Sequence, residues 1–307
     1  MKSILIFTSS FDLTVDYLID KYSRIHDFFR INVDRLDDYL FDVSETGIYI
    51  TLTGYWKILV SDAHAIYYRK ISFPNLNNKY NKKYHPFIYK EIYTLITGIV
   101  ETFEGICLTK PSILRLAENK IYQIKIAKEV DFLFPESLIS NNTNSINQFC
   151  ALKKRIVKPI ASGKIEKEGV KDIVQTNILN DNISIRINDI CPAYYQAYID
   201  KDFDLRVTII NNDVFPVKII SKNNVDWRKD HLNTKYNLVT IPEEIISKCY
   251  LFLNKINMNF GVFDFVVKNN KYYFLEVNPN GQWGWLEKEL NINISDAIIK
   301  YLIGGIL

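Results

Sequence analysis

The succession of apolar and polar positions divides the chain into short strands and helices. Residues 3–8 (SILIFT) are apolar almost without a break, which predicts a strand buried on both faces, and Thr8, Ser9 and Ser10 follow as a polar turn. A strand of this kind opens a parallel α/β sheet. Residues 12–21 predict a helix, residues 28–33, 48–53 and 65–69 predict further strands, and residues 86–103 predict a long, mostly apolar helix. The polar stretch 75–83 predicts a loop. These elements make an N-terminal α/β domain over residues 1–112.

A boundary falls at Lys110-Pro111, because proline disfavours helix in the residue before it. Residues 112–129 then predict one amphipathic helix. Phe134-Pro135-Glu136-Ser137 leads into a short strand, residues 155–159 give another, and 161–172 is a polar loop containing glycine. Strands are predicted at 173–178 and 183–187 around an Asp181-Asn182 turn, then at 193–199, 203–210 and 214–220. Residues 242–255 predict a helix, 261–267 and 271–277 a hairpin, and 295–303 a last helix with Ser295 as its N-cap. The expected organisation adds two α+β units, 113–195 and 196–307, to the N-terminal domain.

Composition narrows the class. A chain of 307 residues that is 48% hydrophobic and 24% charged can bury a sizeable core and is not of disordered type. A net charge of +3 is too small to argue for nucleic acid, though it suits an anionic partner. Cys107, Cys150, Cys191 and Cys249 are widely spaced, with no CxxC pair and no adjacent histidine. That pattern argues against structural zinc and fits reduced thiols in the cytoplasm. The N-terminus lacks the features of a signal peptide, and no apolar stretch reaches the roughly 18 residues needed to span a membrane. We therefore expect a cytoplasmic protein with no membrane or nucleic-acid partner. There is no GxGxxG after the first strand, no GxSxG and no HExxH, and His26, His64, His85 and His231 are scattered.

The strongest chemical signal is Leu275-Glu276-Val277-Asn278-Pro279-Asn280. On a strand, residues two apart share a face, so Glu276 and Asn278 point one way while Leu275 and Val277 point into a core. Two oxygen-bearing side chains on one face suit a hard cation such as magnesium. Asp264 lies on the preceding strand and would face Glu276 if the connection held an odd number of residues, as a 269–271 or 268–272 loop does. A two-residue Asn-Asn turn would put it on the other face. One acid alone holds magnesium poorly, so the odd loop is expected.

Asp264, Glu276 and Asn278, at spacings of twelve and two, resemble the magnesium triad of ATP-grasp ligases, in which ATP lies between two α+β subdomains. The resemblance implies ATP and Mg2+ as cofactors and extends to other motifs. Ile156-Val157-Lys158-Pro159 is similar to the strand whose lysine touches the ATP phosphates, with residues 161–172, including Gly163 and Gly169, as the phosphate-covering loop. Lys120 stands where the family places a second phosphate-binding lysine, although Lys125 and Lys128 share its candidate helix and a lone lysine also reads as a solvated charge. Gln196-Ala197-Tyr198-Ile199 is similar to the hinge strand beside adenine, with Gln196 where many members have glutamate. Asp204 would hold the ribose hydroxyls, and Arg206, on the same strand face, would clamp the transferred phosphate. The bland alternative for Asp204 and Arg206 is a surface ion pair.

Asp226-Trp227-Arg228 and Gly281-Gln282-Trp283-Gly284-Trp285-Leu286 resemble, more narrowly, the graspetide (microviridin-type) branch of ATP-grasp enzymes. This branch makes side-chain ester or amide crosslinks in ribosomal precursor peptides. The likeness is specific from about Lys158 onward, and the N-terminal hundred residues match in pattern only. It implies that an Asp or Glu carboxylate of the peptide becomes an acyl phosphate, which a Thr or Ser hydroxyl or a Lys amine displaces. Lys158, Arg206 and Arg228 would act by positioning and charge neutralisation. Trp227 would orient Arg228, or serve simply as a core anchor, and Asp226 would border the peptide; Trp283, on one face with Trp285 if extended, would either pack the end of the site or contact the peptide. The branch also implies a leader helix bound by the central unit, with Asp189 as the residue that meets it, and a homodimer. The rival readings are a ligase of the ribosomal-protein glutamate ligase or glutathione synthetase-like type, acting on amino acids or a protein terminus, and an inactive ATP- or peptide-binding module.

Overall fold

The computed structural model of the protein describes residues 1–151, 153–161, 164–167, 170–174, 176–179, 190–229 and 233–305. The N-terminal part runs β1 (Ser3–Thr8), α1 (Leu13–Tyr22), β2 (Asp27–Asn32), β3 (Tyr39–Ser44), β4 (Gly47–Leu52), β5 (Trp56–Leu59), β6 (Ala65–Tyr68), α2 (His85–Thr102) and β7 (Ile106–Cys107). Strands β2, β1, β6 and β7 form a parallel sheet in that order, and β3, β4 and β5 form an antiparallel meander beside it. The unbroken apolar run of β1 follows from its central position. Leu5 and Phe7 pack with Ile50, Ile96 and Ile99, whereas Ile4 and Ile6 pack with Leu18, Ile298 and Leu302 from α1 and the C-terminal end of the chain.

In the middle of the chain the single helix expected over 112–129 is two helices, α3 (Pro111–Ala117) and α4 (Lys120–Glu129). The break is chemical. The Asn119 side chain accepts from the N–H groups of Ile121 and Tyr122, which makes it an N-cap and starts a new helix at Lys120. Then come β8 (Ser137–Ser140), α5 (Thr143–Cys150), β9 (Arg155–Lys158), β10 (Lys164–Lys167), β11 (Val170–Ile173), β12 (Asn177–Leu179) and β13 (Ala193–Ala197). Strands β12, β9, β13 and β8 form one antiparallel sheet, and β10 and β11 pair as a separate ribbon where a loop was expected. Gly163, Gly169, Asp189 and the strand expected at 183–187 lie outside the described residues.

The C-terminal part runs β14 (Phe203–Ile210), β15 (Asp213–Ile220), β16 (Lys235–Leu238), α6 (Glu243–Lys255), β17 (Phe260–Lys268), β18 (Lys271–Asn278), α7 (Gly284–Leu290) and α8 (Ile294–Leu302). The sheet order is β16-β15-β14-β17-β18, antiparallel throughout. One face places Leu205, Val207, Ile209, Phe263, Phe265 and Val277 against α4 and α6, with Phe132 stacked on Phe274 at 5.1 Å between ring centroids. Burying each such side chain contributes about 1.5–3 kcal/mol relative to exposure. The opposite face is apolar at Ile210, Phe260 and Val262, which join the core shared with the N-terminal sheet, and polar from Arg206 and Asp264 to Glu276. That change along one face puts a charged floor beside a hydrophobic seam.

Helix α8 begins one residue before the expected Ser295 cap, and Asn293 stands at its N-cap without a side-chain cap bond. Ser295 is instead held by Glu287 of α7, to which both its N–H and its hydroxyl donate. No helix among the described residues is long and apolar enough to cross a membrane.

Candidate functional site

The β17–β18 hairpin reaches the expected pairing of Asp264 with Glu276 by a different route. Its turn holds two residues, Asn269 and Asn270, at φ 49° and 58°, closed by the Lys268–Lys271 pair. Asparagine tolerates this left-handed region, and such a turn matches the twist of a hairpin. The even loop alone would have put Asp264 and Glu276 on opposite faces. A β-bulge between the Phe265–Phe274 and Asp264–Glu276 pairs absorbs one residue, Leu275, and restores them to one face. Leu275 consequently leaves the core expected for it and lines a small cleft with Lys120, Ile124 and Tyr194.

Asn278 bridges the two acids. Its Nδ2 donates to Asp264 Oδ2 at 2.8 Å and to Glu276 Oε1 at 3.2 Å. Cations close around them. Arg206 Nη1 donates to Asp264 at 2.7 and 3.0 Å, Arg228 Nη2 lies 3.5 Å from Asp264 Oδ2, and Lys120 Nζ is bonded to Glu276 Oε2. Burial pushes the Glu276 carboxyl up, but Lys120, Lys158 and Arg228 more than reverse this and hold it below the usual carboxylate range. Among the described residues no three His, Cys, Asp or Glu side chains gather, so the donor set is two carboxylates and an amide. The carboxylates draw three positive side chains, and they are too few to cage an ion alone. Both points fit magnesium, which keeps waters and takes phosphate oxygens.

Across the cleft, Lys158 Nζ donates to Gln196 Oε1 at 3.2 Å and lies 4.6 Å from the Tyr194 ring centroid. Burial pushes the Lys158 ammonium down to about 8, against the opposing pull of Glu276. The Gln196 amide nitrogen donates to Ser137 Oγ at 3.1 Å and to the Tyr194 hydroxyl at 3.2 Å, which turns its oxygen toward Lys158. The N–H of Ala197 donates to Glu136 at 2.8 Å and that of Tyr198 to Lys154 at 3.0 Å. Those two donors are therefore already bonded within the fold. Asp204 is buried and held by Lys201 at 2.8 and 2.6 Å, and burial pushes its carboxyl up to about 6, with Lys201 opposing. It does not pair with Arg206, so the surface ion pair considered above is not what forms.

Asp226 accepts the Arg228 N–H at 3.1 Å and lies 3.4 Å from its Nη1, while the guanidinium sits 4.9 Å from the Trp227 ring centroid. Trp227 itself is a core residue, clustered with Tyr236 and Trp285. Trp283 takes the packing role of its two expected ones, not the peptide contact. It is wholly buried, with Nε1 donating to the Tyr67 hydroxyl at 3.3 Å, in the seam between the N-terminal and C-terminal sheets. Sequence reasoning missed Gln123, Arg69 and Asp12. Each acts across more than fifty residues of chain, and no local motif marks such contacts.

The sequence profile described as the RimK-like ATP-grasp domain matches residues 117–302. No curated protein matches the chain. Among solved structures, it is similar to a RiPP-associated ATP-grasp ligase of Chryseobacterium gregarium in complex with ADP and a leader and core peptide, at 26% identity and TM-score 0.87, over 99% of this chain and 97% of that one. It is also similar to the macrocyclase MdnC of Microcystis aeruginosa MRC bound with precursor peptide MdnA, at 23% identity and TM-score 0.86, over 99% and 100%. A third neighbour is the ATP-grasp ligase PsnB complexed with minimal precursor, Mg and ADP, at 18% identity and TM-score 0.79, over 98% and 97%.

Proposed function

Because the chain belongs to the RimK-like ATP-grasp family of ATP-dependent ligases, we propose that its substrate is a ribosomally made precursor peptide, in which it joins Asp or Glu side chains to Thr or Ser hydroxyls or to a Lys amine. The observation that carries this reading is the gathering of Lys120, Arg206 and Arg228 around the Asp264, Glu276 and Asn278 set. The likeness to the peptide-bound Chryseobacterium ligase over nearly the whole chain supports a peptide rather than a free amino acid.

Bound ATP with magnesium supplies the phosphoryl group that converts a carboxylate, a poor electrophile, into an acyl phosphate. The chain's own residues bind and orient. Asp264, Glu276 and Asn278 hold magnesium, Lys120 and Lys158 hold phosphate oxygens, Asp204 receives the ribose hydroxyls, and the 196–198 strand borders the adenine. Arg206 clamps the transferred phosphate with its fork of donors, and Arg228, fixed by Asp226 and Trp227, holds the acyl phosphate. Residues 1–112, 113–195 and 196–307 act as N-terminal, central and C-terminal units, with the leader helix on the central unit near Asp189 and the enzyme working as a cytoplasmic dimer.

The test is a mass spectrum of a candidate precursor, a small acidic peptide with Thr, Ser or Lys in its core, after incubation with enzyme, ATP and magnesium. Losses of about 18 mass units per crosslink, the mass of one water, that disappear with Glu276→Ala support the reading. ATP hydrolysis only when a free amino acid is added would replace it with a glutamate or glutathione-type ligase. No turnover with either would replace it with an inactive module.

A further inference from the structure

Two glycines let the segment after β18 pass between the two sheets. A Cβ on Gly281 would lie 2.5 Å from Val262 Cγ2 and 3.4 Å from Arg206 Nη2, and one on Gly284 would lie 3.1 Å from Thr14 Cγ2. Between them, Gln282 faces both ways. Its side-chain oxygen accepts from Arg69 Nη2 at 2.7 Å and from the Thr14 hydroxyl at 3.0 Å. Its backbone carbonyl accepts from Arg206 Nη2 at 3.3 Å.

Arg69 is fixed on all sides. It stands immediately after β6, wholly buried, with Nε donating to Asp12 Oδ2 at 2.7 Å and Nη1 to the Tyr67 hydroxyl at 3.0 Å. Asp12 is fixed in turn by the Thr8 hydroxyl at 3.0 Å and by the Thr14 N–H at 3.1 Å, where it caps α1. A buried guanidinium with every acceptor at a set distance resists displacement, because leaving it unpaired is expensive. Arg206, in contrast, has one carboxylate partner, Asp264, and a bare Nε.

We infer that Arg69 and the side chain of Gln282 are positioning residues that hold the residue-282 carbonyl, and through it the Arg206 guanidinium, in line for the transferred phosphate. The N-terminal α/β domain then has a part in the chemical step without touching the substrate. This rests on the assignment of Arg206 as the phosphate clamp. It also explains why a half-buried glutamine rather than an apolar side chain stands beside Trp283.

The test compares full-length wild type, Gln282→Met and Gln282→Glu. Methionine keeps the volume and removes the acceptor, while glutamate keeps the acceptor. Gln282→Met is expected to bind ADP as wild type does by calorimetry and to keep the KM for ATP, while kcat falls roughly 10–100-fold, as for loss of a supporting partner in a pre-organised site. Gln282→Glu is expected to restore kcat, and a crystal structure of Gln282→Met to show Arg206 turned from the residue-282 carbonyl. Should methionine prevent folding, Gln282→Asn shortens the side chain, keeps it polar, and carries the same expectation. Wild-type kcat in Gln282→Met, or a Gln282→Glu protein as slow as Gln282→Met, overturns the inference. The kcat comparison uses whichever acceptor the wild type accepts, so failure of the peptide reading is seen in the wild type alone.

Discussion

The side chain of Gln123 grips the backbone of Val277 with both ends of its amide: Nε2 donates to the Val277 carbonyl at 2.8 Å and Oε1 accepts the Val277 N–H at 3.1 Å. Val277 lies between Glu276 and Asn278, and Gln123 lies one turn after Lys120 on α4. One residue thus registers the strand that carries Glu276 and Asn278 against the helix that brings Lys120 to Glu276. Nε2 also donates to the Ala117 carbonyl at 2.7 Å, so the amide joins α3, α4 and β18.

Gln123→Leu should leave these buried backbone groups without partners, lowering stability by about 3 kcal/mol. It should also lower turnover roughly 10–100-fold by loosening the ligand strand, as other losses of supporting contacts do. Denaturant unfolding followed alongside ATP hydrolysis measures both. A variant that loses stability alone would make Gln123 a purely structural residue.

The proposed magnesium set of Asp264, Glu276 and Asn278 makes a separate prediction. Asn278 is the one neutral member and bonds both carboxylates. Asn278→Leu removes an oxygen ligand and leaves two acids facing each other without the amide between them. The magnesium concentration for half-maximal ATP hydrolysis should rise by roughly 10-fold or more. A magnesium titration of wild type and variant decides it, and an unshifted titration would remove Asn278 from the metal set.

How far the sequence discloses this site depends on whether the information is local. Strand alternation around Glu276 and Asn278 is local, and so were β14 and the faces of Asp204 and Arg206. The bulge at Leu275 was not, since a two-residue Asn-Asn turn and a same-face acid pair contradict each other unless one residue is set aside, and nothing in the string says which. The split of α3 from α4 was readable in principle, because an asparagine before an amphipathic helical stretch is a cap signal, but continuous helical periodicity outweighed it. The contacts of Arg69, Gln123 and Gln282 were invisible because the partners lie 154 residues apart for Gln123 and Val277, and 213 for Arg69 and Gln282. For Trp283 the sequence left packing and peptide contact both open, since the same tryptophan at a cleft rim would have the same neighbours in sequence.

Lys158 makes a pH prediction. Burial lowers its ammonium from 10.5 to about 8, so near pH 8 about half of the free enzyme lacks this charge. ATP phosphates favour the charged form, so binding at pH 8 to 9 should take up a fraction of a proton, and ATP affinity should weaken as pH rises past 8. Calorimetry in buffers of different ionisation enthalpy reads the proton uptake directly. The stability effect has the opposite direction. Between about 8 and 10.5 the unfolded chain binds more protons at this lysine than the folded one, so its contribution to stability rises with pH across that window. Lys158→Met should abolish both trends.

The last prediction concerns the joint between the ends of the chain. Glu287 of α7 is buried, and its Oε1 accepts from the Tyr17 hydroxyl at 2.8 Å and from Lys21 Nζ at 3.1 Å, while Ser295 donates to both its oxygens. Lys21 also donates to Ser295 Oγ at 2.8 Å and lies 3.2 Å from Asp296, so α1, α7 and α8 meet in one polar knot set into the core that the two sheets share. Removing one partner of a buried ion pair is expensive chiefly because the other is left without it. Lys21 is about a third exposed and keeps Asp296, so Glu287→Leu should lie at the low end of that range, about 3 kcal/mol. The knot does not touch Asp264, Glu276 or Asn278, so kcat measured well below the melting temperature should stay near the wild-type value while the melting temperature falls. If kcat fell in proportion to stability at every temperature, the knot would instead be holding the N-terminal domain in its working position, and Lys21→Met would then reproduce the loss.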